Sequence, residues 1–306
     1  MESFAERVAE KVERSGPLVV GLDPHFDLLP PVLLERFAPG EMTFEGLAEA
    51  VLAFGTGILE ALAGEVGFVK IQMAFYEALG VPGMVALSRT IQRAKEWGFL
   101  VILDGKRNDI ASSAVCYARG YLSEITAGGK SLRSFWDVDA LTVNPYLGED
   151  SLLPFFEEAR KSGKGVFVLA RTSNPSAPFI QDEGRKVRVF EKVALLVEDC
   201  AGRFFANDPV SSFGIVVGAT YPEDLRYLRE RFPRLLFLIP GVGAQGGAVE
   251  TLRFAFLPGG LGALVNVSRD ILFAYRKQGR ENGEDFAERA REEALRYQKA
   301  LRSLVP

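Results

Sequence analysis

The run FLVILDG, Phe99–Gly105, decides how this chain is read. It is apolar without interruption until Asp104, as a strand buried on both faces must be. Seven further runs share its character: PLVVGLD (17–23), GFVKIQ (67–72), DALTVNP (139–145), GVFVLAR (165–171), FGIVVGA (213–219), LLFLIPG (235–241) and GALVNV (262–267). Helical patterns lie between them. Val189, Val193, Leu196, Val197, Cys200 and Phe204, for example, are spaced to form one helix face.

Strands alternating with helices imply right-handed βαβ units and a parallel sheet. Eight units in 306 residues predict an α/β fold, a single (β/α)8 TIM barrel, with an open doubly wound sheet as the alternative. No linker divides the chain, so residues 1–306 are expected to form one domain. The start, MESFAERVAEKVERSG, reads as a charged amphipathic helix and not a signal peptide, and residues 281–303 read as a terminal helix. Segments 27–43, 126–137 and 173–184 read as loops.

Composition narrows the chemistry. Hydrophobic residues make up 48% and charged residues 25%, with a formal net charge of -4 and no long Lys/Arg block, so nucleic-acid binding by bulk charge is not expected. No apolar run approaches the ~18 residues that span a bilayer, and a cytoplasmic protein is expected. His25 is the only histidine, which excludes a multi-histidine metal site. It is expected to be structural. Cys116 and Cys200 lack metal spacing and read as buried free thiols. The remaining chemistry must come from Asp, Glu, Lys, Arg or hydroxyls.

In a parallel barrel the active site lies on the rim formed by the C-terminal strand ends. The polar residues there are Asp23, Lys70, Asp104 with Lys106, Thr142 with Asn144, Arg171 with Ser173, Thr220, and Asn266 to Arg269. Lys70 sits among apolar neighbours and needs a partner, because a lone buried ammonium is costly. Asp104 and Lys106 are two apart and point the same way on a strand. Asp109 follows after a short turn. A solvated turn is the alternative reading of DGKRND (104–109), but beside Lys70 the four charges alternate in sign and can hold a lysine charged in a desolvated cleft. A second site is suggested by Gly241, Gly243, Gly246 and Gly247, whose backbone N–H groups are expected to face an anion, with Arg269 at the start of the next helix; a plain glycine turn is the alternative reading.

Taken in order, GLDP (21–24), VKIQ (69–72), DGKRNDI (104–110), TVNPYLG (142–148), TSNPSA (172–177), IPGVGAQGG (239–247) and NVSRDI (266–271) resemble the orotidine 5'-phosphate decarboxylases, closest to the bacterial subgroup with longer chains. The resemblance implies a lyase that decarboxylates orotidine 5'-monophosphate (OMP) to uridine 5'-monophosphate (UMP), without metal or organic cofactor. It places Lys70, Asp104, Lys106 and Asp109 on the family's catalytic array. Asp23 falls on a ribose contact, Ser173 on the serine facing the pyrimidine, and Gln245 and Arg269 on the phosphate grip. A homodimer with shared active sites is implied, Asp109 and Ser113 reaching the neighbouring subunit's site. Short-chain members read Ser-His-Pro-Gly where this chain has Ser-Asn-Pro-Ser (173–176). The rival readings are a Mg2+-dependent sugar-phosphate decarboxylase or aldolase of the same superfamily, which carries an acidic residue where Lys70 stands, and a non-catalytic nucleotide-binding barrel.

Overall fold

A computed structural model describes residues 2–205, 209–243, 246–278 and 282–306. Its strands are β1 (Leu18–Leu22), β2 (Phe68–Gln72), β3 (Leu100–Arg107), β4 (Glu124–Ala127), β5 (Lys130–Arg133), β6 (Ala140–Val143), β7 (Gly165–Arg171), β8 (Phe213–Val217), β9 (Leu236–Ile239) and β10 (Ala263–Val267). Eight of them close into a barrel in the order β1-β10-β9-β8-β7-β6-β3-β2. Every neighbouring pair is parallel, and each of the eight apolar runs supplies one stave.

Side chains along each stave alternate between the barrel interior and the surrounding helices. Val19, Phe68, Leu100, Ile102, Ala140 and Phe167 pack together inside. Their chain neighbours Val20, Val69, Val101, Leu103 and Leu141 join the larger core beneath the helices. Each fully buried Leu or Phe contributes about 1.5–3 kcal/mol. Helix Phe4–Ser15, started by a capping box between Ser3 and Glu6, adds Phe4, Val8 and Val12 to the interior cluster and plugs the foot of the barrel. Phe4 lies so close that a Cβ at Gly165, the first residue of β7, would stand 2.3 Å from its ring. Two residues beyond Phe68, Ile102 and Ala140 the interior positions turn polar, at Lys70, Asp104 and Thr142, and Gln72 continues the polar row on β2.

Three segments read as loops carry structure. Within 126–137, most of β4 and β5 form an antiparallel hairpin with Ile125 opposite Leu132, and all eight strand residues are exposed. Segment 27–43 holds helix Pro31–Phe37, whose first-turn proline is compatible with a helix start. Segment 173–184 holds the short helix Pro178–Gln181. The helix expected near 189–204 spans Val189–Phe204; Val197 and Cys200 of the expected face are buried, but Phe190, Glu191, Ala194 and Ala201 complete the buried stripe. Val189, Val193, Leu196 and Phe204 are only half-buried, because the helix is rolled by about one position against the barrel. The terminal helix Phe286–Arg302 packs on helix Phe44–Leu62. Of the two free thiols only Cys200 is buried; Cys116 is exposed because it lies on the outer face of helix Ala111–Leu122.

Candidate active site

Strands β1, β2, β3 and β6 stand side by side and bring their polar ends together. Lys70 pairs in register with Gly21, and Gln72 with Asp104. At the end of β3 the register against β6 slips: Leu103 faces Leu141, yet the next pair is Arg107 with Val143. Residues 104–106 therefore form a bulge. Lys106 sits in it with a left-handed φ of 46°, which costs a non-glycine residue about 1–2 kcal/mol. The simple alternation expected for Asp104 and Lys106 does not hold, but the bulge folds them together.

Asp104 is the hub. Its Oδ2 accepts from Lys70 Nζ at 2.8 Å and from Gln72 Nε2 at 3.1 Å. Its Oδ1 accepts from Lys106 Nζ at 2.6 Å and from the Thr142 hydroxyl at 2.9 Å. Lys70 Nζ lies 3.6 Å from Asp23 Oδ1, and the Ser268 hydroxyl donates to Asp23 Oδ2 at 2.7 Å. Lys70 is 4% exposed and Asp104 8%. Burial alone would discharge both. It pulls the Lys70 ammonium down, but the carboxylates of Asp104 and Asp23 outweigh it and hold the pKa above the ordinary lysine value. Burial pushes the Asp104 carboxyl up, and Lys70 with Lys106 outweighs that, holding it well below the usual carboxylate range. Lys70 and Asp104 are thus a buried pair that stays charged near neutrality, with Lys106 and Asp23 at its edges.

The array lines a cavity of ≈ 410 Å³ that also contains Ser173 and Arg269 and has Leu169, Val216 and Leu238 on its apolar side. Charged, polar and apolar side chains share this cavity, which suits a polar ligand with an anionic group. Arg269 is exposed and opens helix Arg269–Leu272, so short that its dipole adds little. The glycine loop differs from expectation. Gly243 N–H donates to the Gly247 carbonyl (3.0 Å), Gly246 N–H to Gly243 (2.7 Å) and Gly247 N–H to Gly241 (3.0 Å). Three of the donors expected to face an anion are consumed by the turn itself, which closes on its own amides. The loop rests on the C-terminal helix: Tyr297 donates to Asp270 Oδ2 at 2.8 Å, and a Cβ at Gly243 (φ +74°) would lie 2.1 Å from that oxygen. Gln245 lies outside the described residues.

The structure thus brings Asp23, Lys70, Asp104, Lys106, Ser173 and Arg269 to one cavity. It does not bring Asp109 or Ser113 there. These line a separate concavity of ≈ 460 Å³ with Cys116, Tyr117 and Trp136. Arg171 points away as well, pairing with Asp224 at 2.9 Å and Asp182 at 3.1 Å. His25 packs edge-on against Phe75, with ring centroids 4.7 Å apart. Sequence reasoning placed Thr142 and Ser268 on the rim without giving them a role, and missed Gln72. The usable signal was position: Gln72 is two residues beyond Lys70, and Thr142 and Ser268 stand at strand ends. Among the described residues no cluster of three or more His, Cys, Asp or Glu side chains could hold a metal ion, and no helix is long and apolar enough to cross a membrane.

Comparison with known proteins adds a family context. The sequence model of the orotidine 5'-phosphate decarboxylase / HUMPS family matches residues 17–280. An orotidine 5'-phosphate decarboxylase of Rhodopirellula baltica is 43% identical over 282 residues, covering 91% of each chain. One from Clostridium perfringens is 35% identical over 304 residues, covering 99% of each. The solved structure of Leishmania donovani OMP decarboxylase superposes with a TM-score of 0.71 at 30% identity, over 97% of this chain and 99% of that one.

Proposed function

The chain belongs to the orotidine 5'-phosphate decarboxylase / HUMPS family, and from that premise we propose that it decarboxylates OMP to UMP, the last step of de novo UMP synthesis. The observation that carries this reading is the Lys70–Asp104–Lys106 array, with donors on both oxygens of a buried carboxylate. OMP has the matching chemistry: a flat ring with a carboxylate at C6, and a phosphate at the far end.

In the reaction the bond from C6 to the carboxyl carbon breaks, CO2 leaves, and the electron pair stays on C6. The Lys106 ammonium stabilises that carbanion and then gives it a proton. The neutral amine regains its proton from solvent. Asp104 holds Lys106 in place, and Lys70 keeps Asp104 ionised. Asp23, fixed by Ser268 and Lys70, takes a ribose hydroxyl. Ser173 faces the pyrimidine, and Arg269 and Gln245 grip the phosphate, so that binding energy far from C6 helps assemble the array. No metal or organic cofactor takes part. A divalent ion beside Asp23 and Asp104 would stand where Lys70 Nζ already neutralises them, which disfavours the Mg2+-dependent sugar-phosphate chemistry. A simple nucleotide-binding barrel would not need the array.

The enzyme acts in the cytoplasm as one barrel domain. It works as a homodimer in which Asp109 and Ser113 complete the partner's pocket. Purified protein should consume OMP, followed by its ultraviolet absorbance, at the same rate with and without EDTA. Activity that vanishes with EDTA and returns with Mg2+ would favour the sugar-phosphate reading instead.

A further inference from the structure

We infer that Thr142 is a positioning residue for this decarboxylation, setting the aim of Lys106 through its hydroxyl. The inference rests on the functional reading above. Lys106 occupies the bulge at the end of β3, where the backbone ladder to β6 is interrupted between Leu103 and Arg107. A bulge leaves amides without ladder partners. The Lys106 N–H finds one in the Thr142 Oγ1 at 3.0 Å. The same hydroxyl donates its proton to Asp104 Oδ1 at 2.9 Å, the oxygen that also takes Lys106 Nζ at 2.6 Å.

Thr142 therefore closes a ring. It runs from the Lys106 backbone to the hydroxyl, on to the Asp104 carboxylate, and back to Lys106 through its own ammonium. Both ends of the lysine are fixed by one carboxylate–hydroxyl unit. That matters because the Lys106 backbone is left-handed (φ 46°) and its side chain is 45% exposed. Neither backbone preference nor packing would hold a long, flexible side chain there. Thr142 itself is 1% exposed on the interior face of β6 and cannot turn away. Its hydroxyl has one proton, and giving it to Asp104 leaves the oxygen to accept from Lys106, so the direction of both bonds is determined. Asp104 in turn receives two donors on each oxygen, and removal of the hydroxyl would leave Oδ1 with Lys106 alone.

The test compares Thr142→Val, which keeps the shape and loses the hydroxyl, with Thr142→Ser, which keeps the hydroxyl. A misaimed general acid costs turnover more than binding. Thr142→Val should lower kcat about 10- to 100-fold, with the KM for OMP and the affinity for UMP changed less than about threefold. Thr142→Ser should stay within about threefold of wild type in kcat. Should Thr142→Val fail to fold, Thr142→Ala against Thr142→Ser carries the same contrast. A Thr142→Val enzyme with wild-type kcat, a serine variant as slow as the valine one, or a loss confined to KM would each overturn the inference. Wild-type protein that does not consume OMP would instead overturn the functional reading, and this inference with it.

Discussion

Two buried cations, at opposite ends of the barrel, are held in opposite ways. Lys70 stands at the upper end, 4% exposed, between the carboxylates of Asp104 and Asp23. Arg229 lies near the foot, 6% exposed, on helix Pro222–Arg231. No carboxylate among the described residues pairs with it. Its guanidinium donates to the carbonyls of Ala255, Phe232, Pro233, Leu235 and Gly262 at 2.6–3.1 Å and lies over the Phe237 ring at 3.7 Å. Burial pulls Arg229 down to about 9, still charged at neutrality, whereas Lys70 is raised above its ordinary value. Burial of a charge is common to both, so it does not mark function. Nor do carboxylate partners by themselves, since the buried Arg171 pairs with Asp224 and Asp182 away from the cavity; the partner set together with the cavity does. Five fixed carbonyls make Arg229 a clasp for the turns that lead into β9 and β10. Two carboxylates make Lys70 part of a charge array that faces a cavity.

Variants at both ends of the barrel test the difference. The largest effect expected is complementation across subunits. Lys106→Ala and Asp109→Ala homodimers should each be nearly inactive. After dissociation and random remixing half the dimers are mixed, and each mixed dimer has one pocket with both defects and one with neither, so about a quarter of wild-type activity should return. Lys106→Ala mixed with Asp104→Ala should recover none. If the Lys106/Asp109 mixture stays inactive after verified exchange, Asp109 serves its own chain. Next in size, Arg269→Ala should lower kcat/KM for OMP about 100-fold, the worth of a charge-assisted phosphate contact. The phosphate-free nucleoside should be used about equally well by both enzymes, and equal losses would place Arg269 elsewhere. The smallest effect on catalysis belongs to the foot of the barrel. Arg229→Met should leave kcat/KM within about threefold of wild type, while chemical denaturation finds the unfolding free energy lowered by about 3 kcal/mol, because buried carbonyls lose their donors. A loss of turnover with unchanged stability would erase the distinction between the two cations.

The same contrast explains what could be read from the chain. All eight staves were legible, because a strand buried on both faces must be apolar throughout. Lys70 and Asp104 were legible as interruptions of that rule. Arg229 was not, since PEDLRYLRER looks like an ordinary charged helix and its burial depends on carbonyls from other elements. Strands β4 and β5 were hidden for a related reason: with all eight residues exposed, nothing forces an apolar alternation. Gln72, Thr142 and Ser268 are neutral, and their roles come from the oxygens they meet, which spacing does not encode. The glycines of 241–247 announced unusual backbone angles, but not that three of their amides would be spent inside the turn. Asp109 and Ser113 lie away from the array within one chain; charge alternation alone had grouped Asp109 with Lys70, Asp104 and Lys106, and only the family resemblance sends it and Ser113 to a partner's pocket.

An array that performs chemistry and a structural clasp like Arg229 are told apart by measuring OMP turnover and UMP affinity together in Lys106→Ala. The kcat should fall about 10³-fold or more while UMP binds within about threefold of its wild-type affinity and the melting temperature holds. A variant that turns over OMP at a near-normal rate, or that loses turnover only in proportion to UMP affinity, would contradict a chemical role for the array.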